Sequence, residues 1–332
     1  MKTKVKEHKK KGKFSPLFLI IGIILTLYAL SIFFVLGWGF LNTFKHSNDF
    51  SLDRNVLGLP NPDRSKDQMA FGNYALCLEY LSVSVGTEYL TASGPVSESA
   101  TVMIPEMLLN TILYAVVSAI IMAFVPAICA YVCAEYKYKF SGIMYAVNLF
   151  VITMPIVGTT VPTLTLVRTI GLYNNWIGNY ILKFTFTGSY FFVYWAFYKG
   201  FSGSYSEAAE IDGASQLQIL TRIIIPLSAK TITTVALLVF VGLWNDYNTP
   251  MLYMPTHPTL AYGIWRVAYS GMIGTQPPAG MTALEYGIIK RQFYGVPMKI
   301  TACMILALPI LIIFIIAKDK LMGNLSMGGV KE

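Results

Sequence analysis

Residues 204–227 read SYSEAAEIDGASQLQILTRIIIPL, a polar, amphipathic stretch between two long apolar runs. Unpaired polar groups are costly in hydrocarbon, so a stretch carrying Glu207, Glu210, Asp212, Gln216, Gln218 and Arg222 belongs in water, beside a membrane. On either side, uncharged apolar runs recur at Leu17–Leu41, Met107–Ala134, Phe140–Val167, Thr231–Trp244 and Ile300–Ala317, and a further run, Trp176–Tyr198, is interrupted by Lys183. About 20 residues cross the hydrocarbon core of a bilayer. The expected fold is therefore all-α, a polytopic membrane protein with six transmembrane helices. The polar stretch between the fourth and fifth of them is its docking site for a cytosolic partner.

Composition agrees. The 332 residues are 55% hydrophobic and 13% charged, against roughly 25% charged in soluble domains. The first 13 residues hold seven Lys and one Glu, most of the chain's net charge of +8. The positive-inside rule puts this arm in the cytoplasm, and six crossings return the C-terminus, with Lys318 and Lys320, to the same side. An arm abutting a membrane span is explained by anionic lipid rather than by nucleic acid. The first apolar run is 25 residues, longer than the h-region of a signal peptide, and no A-x-A-like site follows it; a retained helix is expected. Cys77, Cys129, Cys133 and Cys303 show neither disulfide framework nor metal-ligand spacing, and His8, His46 and His257 form no constellation.

Between the first two runs, residues 42–100 form an extracytoplasmic segment with a short amphipathic helix expected near Asn73–Leu81. Pro155, Gly158 and Pro162 should bend the third span. Lys183 should snorkel to the headgroups at the outer end of the fourth. A second outer stretch, 251–298, is punctuated by Gly and Pro as loops are. Lys290, Arg291 and Lys299 lie on this side against the positive-inside tendency. At 204, Ser204-x-x-Glu207 has the form of a capping box that would start a helix. Gly213 permits a turn, and Leu217, Ile219 and Leu220 supply a second apolar stripe before Pro226. The result is a short helix, a bend and a second helix parallel to the membrane, with Ala208 and Ala209 small enough for a partner to approach closely.

The spacing Glu207-Ala208-Ala209, three residues, Gly213, nine residues, Ile223-x-Ile225-Pro226 resembles the signature of ABC importer permeases, departing only at Ile225, where Leu is usual. Val241–Met254, VGLWNDYNTPMLYM, resembles the fifth helix of carbohydrate permeases, and the ending Leu325–Glu332, LSMGGVKE, resembles the tail of the maltose-permease inner subunit. The likeness covers roughly residues 100–332. It implies a type I importer fold. The arm would then be residues 1–16, the first helix 17–41 and the extracytoplasmic segment 42–100. The permease core would be 101–320, with a coupling helix at 204–220, and the cytoplasmic tail 321–332.

The resemblance also implies partners: a second permease subunit forming a heterodimer, two copies of a cytosolic ABC ATPase, and an extracytoplasmic solute-binding protein. Glu207, Ala208, Ala209, Asp212, Gly213, Ile223 and Pro226 would couple to the ATPase, and Gly328, Gly329, Val330 and Lys331 would touch it from the tail. The loop Tyr269–Met281 would reach toward the binding protein. The sequence holds no G-x-x-x-x-G-K-[ST], since Gly12-Lys13 continues with Phe14. The chain is thus expected to bind no cofactor and to be no enzyme, with ATP and Mg on the partner. A polar cluster in a membrane helix is a functional candidate. Trp244, Asn245, Asp246, Tyr247 and Asn248 are accordingly candidates for the substrate pathway, with Trp244, Tyr247 and Tyr253 able to stack on sugar faces; an interfacial aromatic belt with a polar helix end is the alternative. The cargo is expected to be a sugar or oligosaccharide. A permease for polyamine or phosphate is the main rival, and ion-coupled carriers rely on more intramembrane ionisable residues than one Asp and one Lys.

Overall fold

The computed structural model describes residues 16–91, 94–136, 138–154, 158–200, 204–270 and 281–325. In chain order the elements are α1 (Pro16–Asn42), α2 (Ser47–Ser51), α3 (Pro62–Met69), α4 (Gly72–Tyr80), β1 (Ser82–Thr91), β2 (Gly94–Met103), α5 (Ile104–Glu135), α6 (Lys139–Thr153), α7 (Thr160–Thr169), α8 (Trp176–Lys183) and α9 (Ser189–Lys199). There follow α10 (Ser204–Ile211), α11 (Gln216–Ile219), a π-helical turn (Leu220–Ile224), α12 (Ile225–Trp244), α13 (Asn248–Tyr253), α14 (Leu260–Ser270), α15 (Ala283–Phe293) and α16 (Val296–Leu325). Among the described residues, four helical stretches are long and apolar enough to cross a membrane: Pro16–Asn42, Ile104–Glu135, Gln216–Trp244 and Val296–Lys318.

The two remaining apolar runs are each broken, which corrects the expectation of a continuous third and fourth helix. Pro155 disfavours the α conformation at the residue before it, and Met154 is extended at φ −92°, ψ 116°. Pro162 then falls in the first turn of α7, where a missing N–H is tolerated. The fourth run stops after Lys183, and Gly188, at φ 131°, opens α9. The buried Asn148 of α6 accepts a hydrogen bond from the Gly188 N–H at 3.3 Å, tying the two breaks together.

The fold is also not purely helical. β1 and β2 form an antiparallel hairpin with Val83 opposite Val102 and Val85 opposite Ala100. The stretch 82–85, Ser-Val-Ser-Val, alternates with the period of a strand, and Val83, Val85 and Val102 are buried against α5, α14 and α16. The helix expected near 73–81 is α4.

α5 is the central element, packed against α9 and α12. Its buried face is a stripe of small residues, Ala115, Ala119, Ala123, Ala127, Ala130 and Ala134, which lets neighbouring backbones approach closely. A second core gathers α4, the hairpin, α14, α15 and the start of α16 at the other end of α5. Trp244, closing α12, donates from Nε1 to the Leu306 carbonyl at 3.0 Å. The stretch 204–220 thus lies at one end of the molecule and residues 43–103 at the other.

Candidate functional site

α10 ends as its sequence requires. Gly213, at φ 79°, is in the left-handed region that costs an L-residue about 1–2 kcal/mol. Its N–H donates to the Glu210 carbonyl at 3.0 Å, and that of Ala214 donates to Ala209 at 2.9 Å, the paired bonds of a Schellman stop. α11 begins with a capping box at Ser215 and Gln218. The expected box at Ser204 rests on a side chain outside the described residues; the helix itself starts at Ser204.

The second helix is not a separate piece on the membrane surface. α11, the π turn and α12 run as one rod from Gln216 to Trp244. Pro226 cannot donate to the ladder. The turn before it widens to π geometry, with the Ile225 N–H donating to Leu220. The start of the rod is tied on two sides: Tyr136, just after α5, donates from Oη to Oε1 of Gln216, and Gln216 Nε2 donates to Oε1 of Glu210 on α10 at 2.7 Å.

The coupling candidates divide by side. Ala209 is buried in the core with Ile219, and Ile223 packs against the same core. Glu207, Ala208, Asp212, Gly213 and Pro226 face outward. Around them Ile211 is 85% exposed and Leu217 70%. The short helix therefore presents a charged, partly apolar surface, while its alanines are not equivalent. The tail residues Gly328, Gly329, Val330 and Lys331 lie outside the described residues, as does most of the Tyr269–Met281 loop.

At the other end of the rod, the five pathway candidates also divide. Trp244 is buried. Asp246 is engaged within the chain: Tyr114 Oη donates to its Oδ2 at 2.5 Å, and Lys183 Nζ lies 3.8 Å from the same oxygen. The N–H groups of Asn248 and Thr249 each donate to Oδ1 at 3.0 Å. Lys183 therefore does not snorkel outward. Half-enclosed above the Tyr114 ring, at 5.3 Å from its centroid, it pairs with Asp246, because a desolvated cation is held best by a nearby carboxylate. Asn245, Tyr247 and Asn248 remain exposed. Tyr247 stacks on Trp265 at 5.3 Å and 8°, and Trp265 on Tyr269 at 5.3 Å and 5°. Tyr114 and Trp265 carried no signal beyond being a hydroxyl and an indole in apolar surroundings; only the fold brings them to Asp246 and Tyr247.

The signature at 207–226 thus falls on a short, glycine-stopped helix followed directly by a long helical rod. Residues 127–322 match the family described as the binding-protein-dependent transport system inner membrane component. The chain belongs to that family. Among its relatives, the trehalose transport system permease protein SugB of Mycobacterium tuberculosis is 23% identical over 60% of this chain and 66% of its own length, just under two-thirds. The probable starch degradation products transport system permease protein AmyC of Thermoanaerobacterium thermosulfurigenes is 26% identical over 94% of this chain and 95% of its own. A crystal structure of a bacterial ABC transporter involved in the import of the acidic polysaccharide alginate contains a chain with the same fold. It aligns with a TM-score of 0.64 at 19% identity, covering 92% of this chain and 96% of that one. As an inner membrane component, the chain has its long apolar helices in a membrane.

Proposed function

We propose that this chain is one transmembrane subunit of an ATP-driven importer that moves a sugar or oligosaccharide into the cytoplasm by alternating access. It crosses the plasma membrane six times with both termini cytoplasmic, the third and fourth crossings being the broken pairs α6–α7 and α8–α9. It works with a second, similar subunit, two copies of a cytosolic ATPase that carry ATP and Mg, and an external solute-binding protein. The observation that carries this reading is the elbow at 204–214. Its outward face of Glu207, Ala208 and Ile211 is uncovered, its inward face is keyed to α5, and its far side continues into α12. A push on that face is transmitted to Trp244 and Asp246 along a single rod, and ATP drives the change by binding the two states differently. Sugar as cargo is supported by the trehalose, starch-product and alginate systems to which the chain is similar. Asn245, Tyr247 and Asn248, with the stack through Trp265, are the side chains free to meet it, and Gly328–Lys331 would meet the ATPase.

The test is a reconstituted transporter carrying Glu207→Lys or Gly213→Val. Charge reversal at a docking face costs several kcal/mol, so sugar uptake should fall more than tenfold while membrane insertion is unchanged. ATP hydrolysis should lose its stimulation by the loaded binding protein. Uptake at the parent rate in both variants would refute the docking assignment.

A further inference from the structure

Lys290, Arg291 and Lys299, together with Arg54, place positive charge at the end of the molecule opposite the elbow, where charge asymmetry disfavours it. Two of these side chains have a common destination. Arg54 and Arg291 both line a cavity of about 790 Å³ between the α2 region and the α15–α16 joint. Neither has a carboxylate within ion-pair distance among the described residues, where the nearby pair is Arg64 with Asp53.

Both walls are built. On one side, the buried Asp49 accepts from Asn55 Nδ2 at 2.9 Å, the Asn61 N–H at 2.9 Å and Ser65 Oγ at 2.7 Å, and Lys45 Nζ donates to the Asn55 carbonyl at 2.6 Å. This lattice fixes Arg54 at φ 52°, a conformation a non-glycine residue keeps only when its surroundings impose it. The other wall is fastened to the first. Ser47 Oγ donates to the Gln292 carbonyl at 3.2 Å, the Gln292 amide lies 3.1 Å from the His46 ring, and a Cβ on Gly295 would fall 2.0 Å from Ser47 Oγ.

The cavity adjoins the ends of two helices long and apolar enough to cross a membrane, α1 and α16. Trp38, in the last turns of α1, donates from Nε1 to the Val56 carbonyl at 2.9 Å, and Gly39 faces Ile300 and Met304 in the first turns of α16. The same loop exposes Leu52, Leu57 at 72% and Leu59 at 76%, side chains suited to the boundary between headgroups and acyl chains. Two unpaired guanidinium groups in a lining shared with Phe50, Leu52, Val56 and Val296 match a phosphate with hydrocarbon attached, because guanidinium pairs with phosphate through charge-assisted, bidentate hydrogen bonds. We infer that this cavity binds the headgroup of an anionic phospholipid. The inference needs only α1 and α16 in the bilayer, not the transport reading.

The transporter, purified whole, would be relipidated in vesicles of phosphatidylcholine with or without phosphatidylglycerol, and retained lipid counted by native mass spectrometry. Parent protein should keep phosphatidylglycerol selectively, and Arg54→Gln with Arg291→Gln should weaken that retention by about tenfold or more. Both side chains are exposed, so the variants should fold; the single substitutions, each with a smaller loss, guard against a folding defect in the pair. Equal retention by parent and double variant would overturn the proposal. So would displacement of the lipid by a galacturonate oligosaccharide, or protection by inorganic phosphate equal to that by the lipid. Because the readout is lipid and not uptake, it fails or succeeds separately from the transport assignment.

Discussion

The two ends of the molecule are held in different ways. Toward the elbow, α5 is held mainly by close packing, a stripe of alanines against α9 and α12 with Tyr194, Tyr198 and Val235 filling the space, and by a few polar ties such as Lys199 Nζ to the Ala134 carbonyl at 2.8 Å and Tyr136 Oη to Gln216. At the far end the chain is wired by polar groups, with Asp49, Lys45, Ser65 and Asn73 all buried and the first three in one hydrogen-bonded lattice. Asn73 Nδ2 donates to the carbonyls of Thr43 and Lys45 at 2.8 and 2.9 Å. Smooth small-residue contacts change little when one helix slides on another, whereas a hydrogen bond is lost within about 0.5 Å of its usual distance. On the proposed function, the elbow end is the part that moves and the polar end the frame against which it moves.

The contrast is broken most severely at Asp49. Asp49→Ala leaves the donors of Asn55, Asn61 and Ser65 without their acceptor, and each buried polar group left unsatisfied costs about 1–3 kcal/mol. Hydrogen exchange should rise across residues 43–73 while α10 and α12 keep their protection. Uniform loss of protection over the whole chain would show that the two ends are not independent. A smaller effect is expected from Ala123→Leu in the middle of the stripe. Ala123 is fully buried, and inserting methylenes into a close-packed contact costs about 1–3 kcal/mol. The expected outcome is a lower Tm in detergent, with greater exchange on the elbow side and the Asp49 lattice intact.

The sequence displays the shape-based half better than the wired half. Apolar runs and the Glu207–Pro226 spacing are local, so the water-facing elbow and the long helices can be read directly. The breaks were half visible. Pro155 marked one, while the stop after Lys183 depends on Gly188 meeting Asn148, 40 residues away. The hairpin was missed, although Ser82–Val85 alternates, because its neighbours read as a polar loop. The pairing of Lys183 with Asp246 and Tyr114 could not be seen: the two charges stand out in their apolar runs, but only the fold brings them together with Tyr114 of α5. Ala209 differs from Ala208 for a similar reason, as the twist of an eight-residue helix decides which of two adjacent alanines faces the core.

The gentlest probe of the contrast is acid. Burial raises the Asp49 carboxyl, but the Asn61 N–H, Ser65, Asn55 and the Lys45 charge outweigh it and hold the group below its ordinary value of 3.8. The His46 ring is also held below its ordinary 6.5, by burial first and then by Arg64, against the opposing pull of Asp49 and Asp67. Both shifts have the same sign. In each case the unfolded chain takes up a proton before the folded one does, so stability is present above the unfolded value and declines as pH falls from it toward the depressed folded value. The frame at 43–73 should therefore loosen in two stages, the first beginning near pH 6.5 and the second below pH 3.8. The elbow end, which lies outside the Asp49 lattice, should show neither stage. Hydrogen exchange measured against pH reads both. Asp49→Asn should erase the lower stage, and His46→Gln the upper one. An elbow that loosens in step with the frame would mean that acid acts on the bundle as a whole and that the polar lattice is not what distinguishes the two ends.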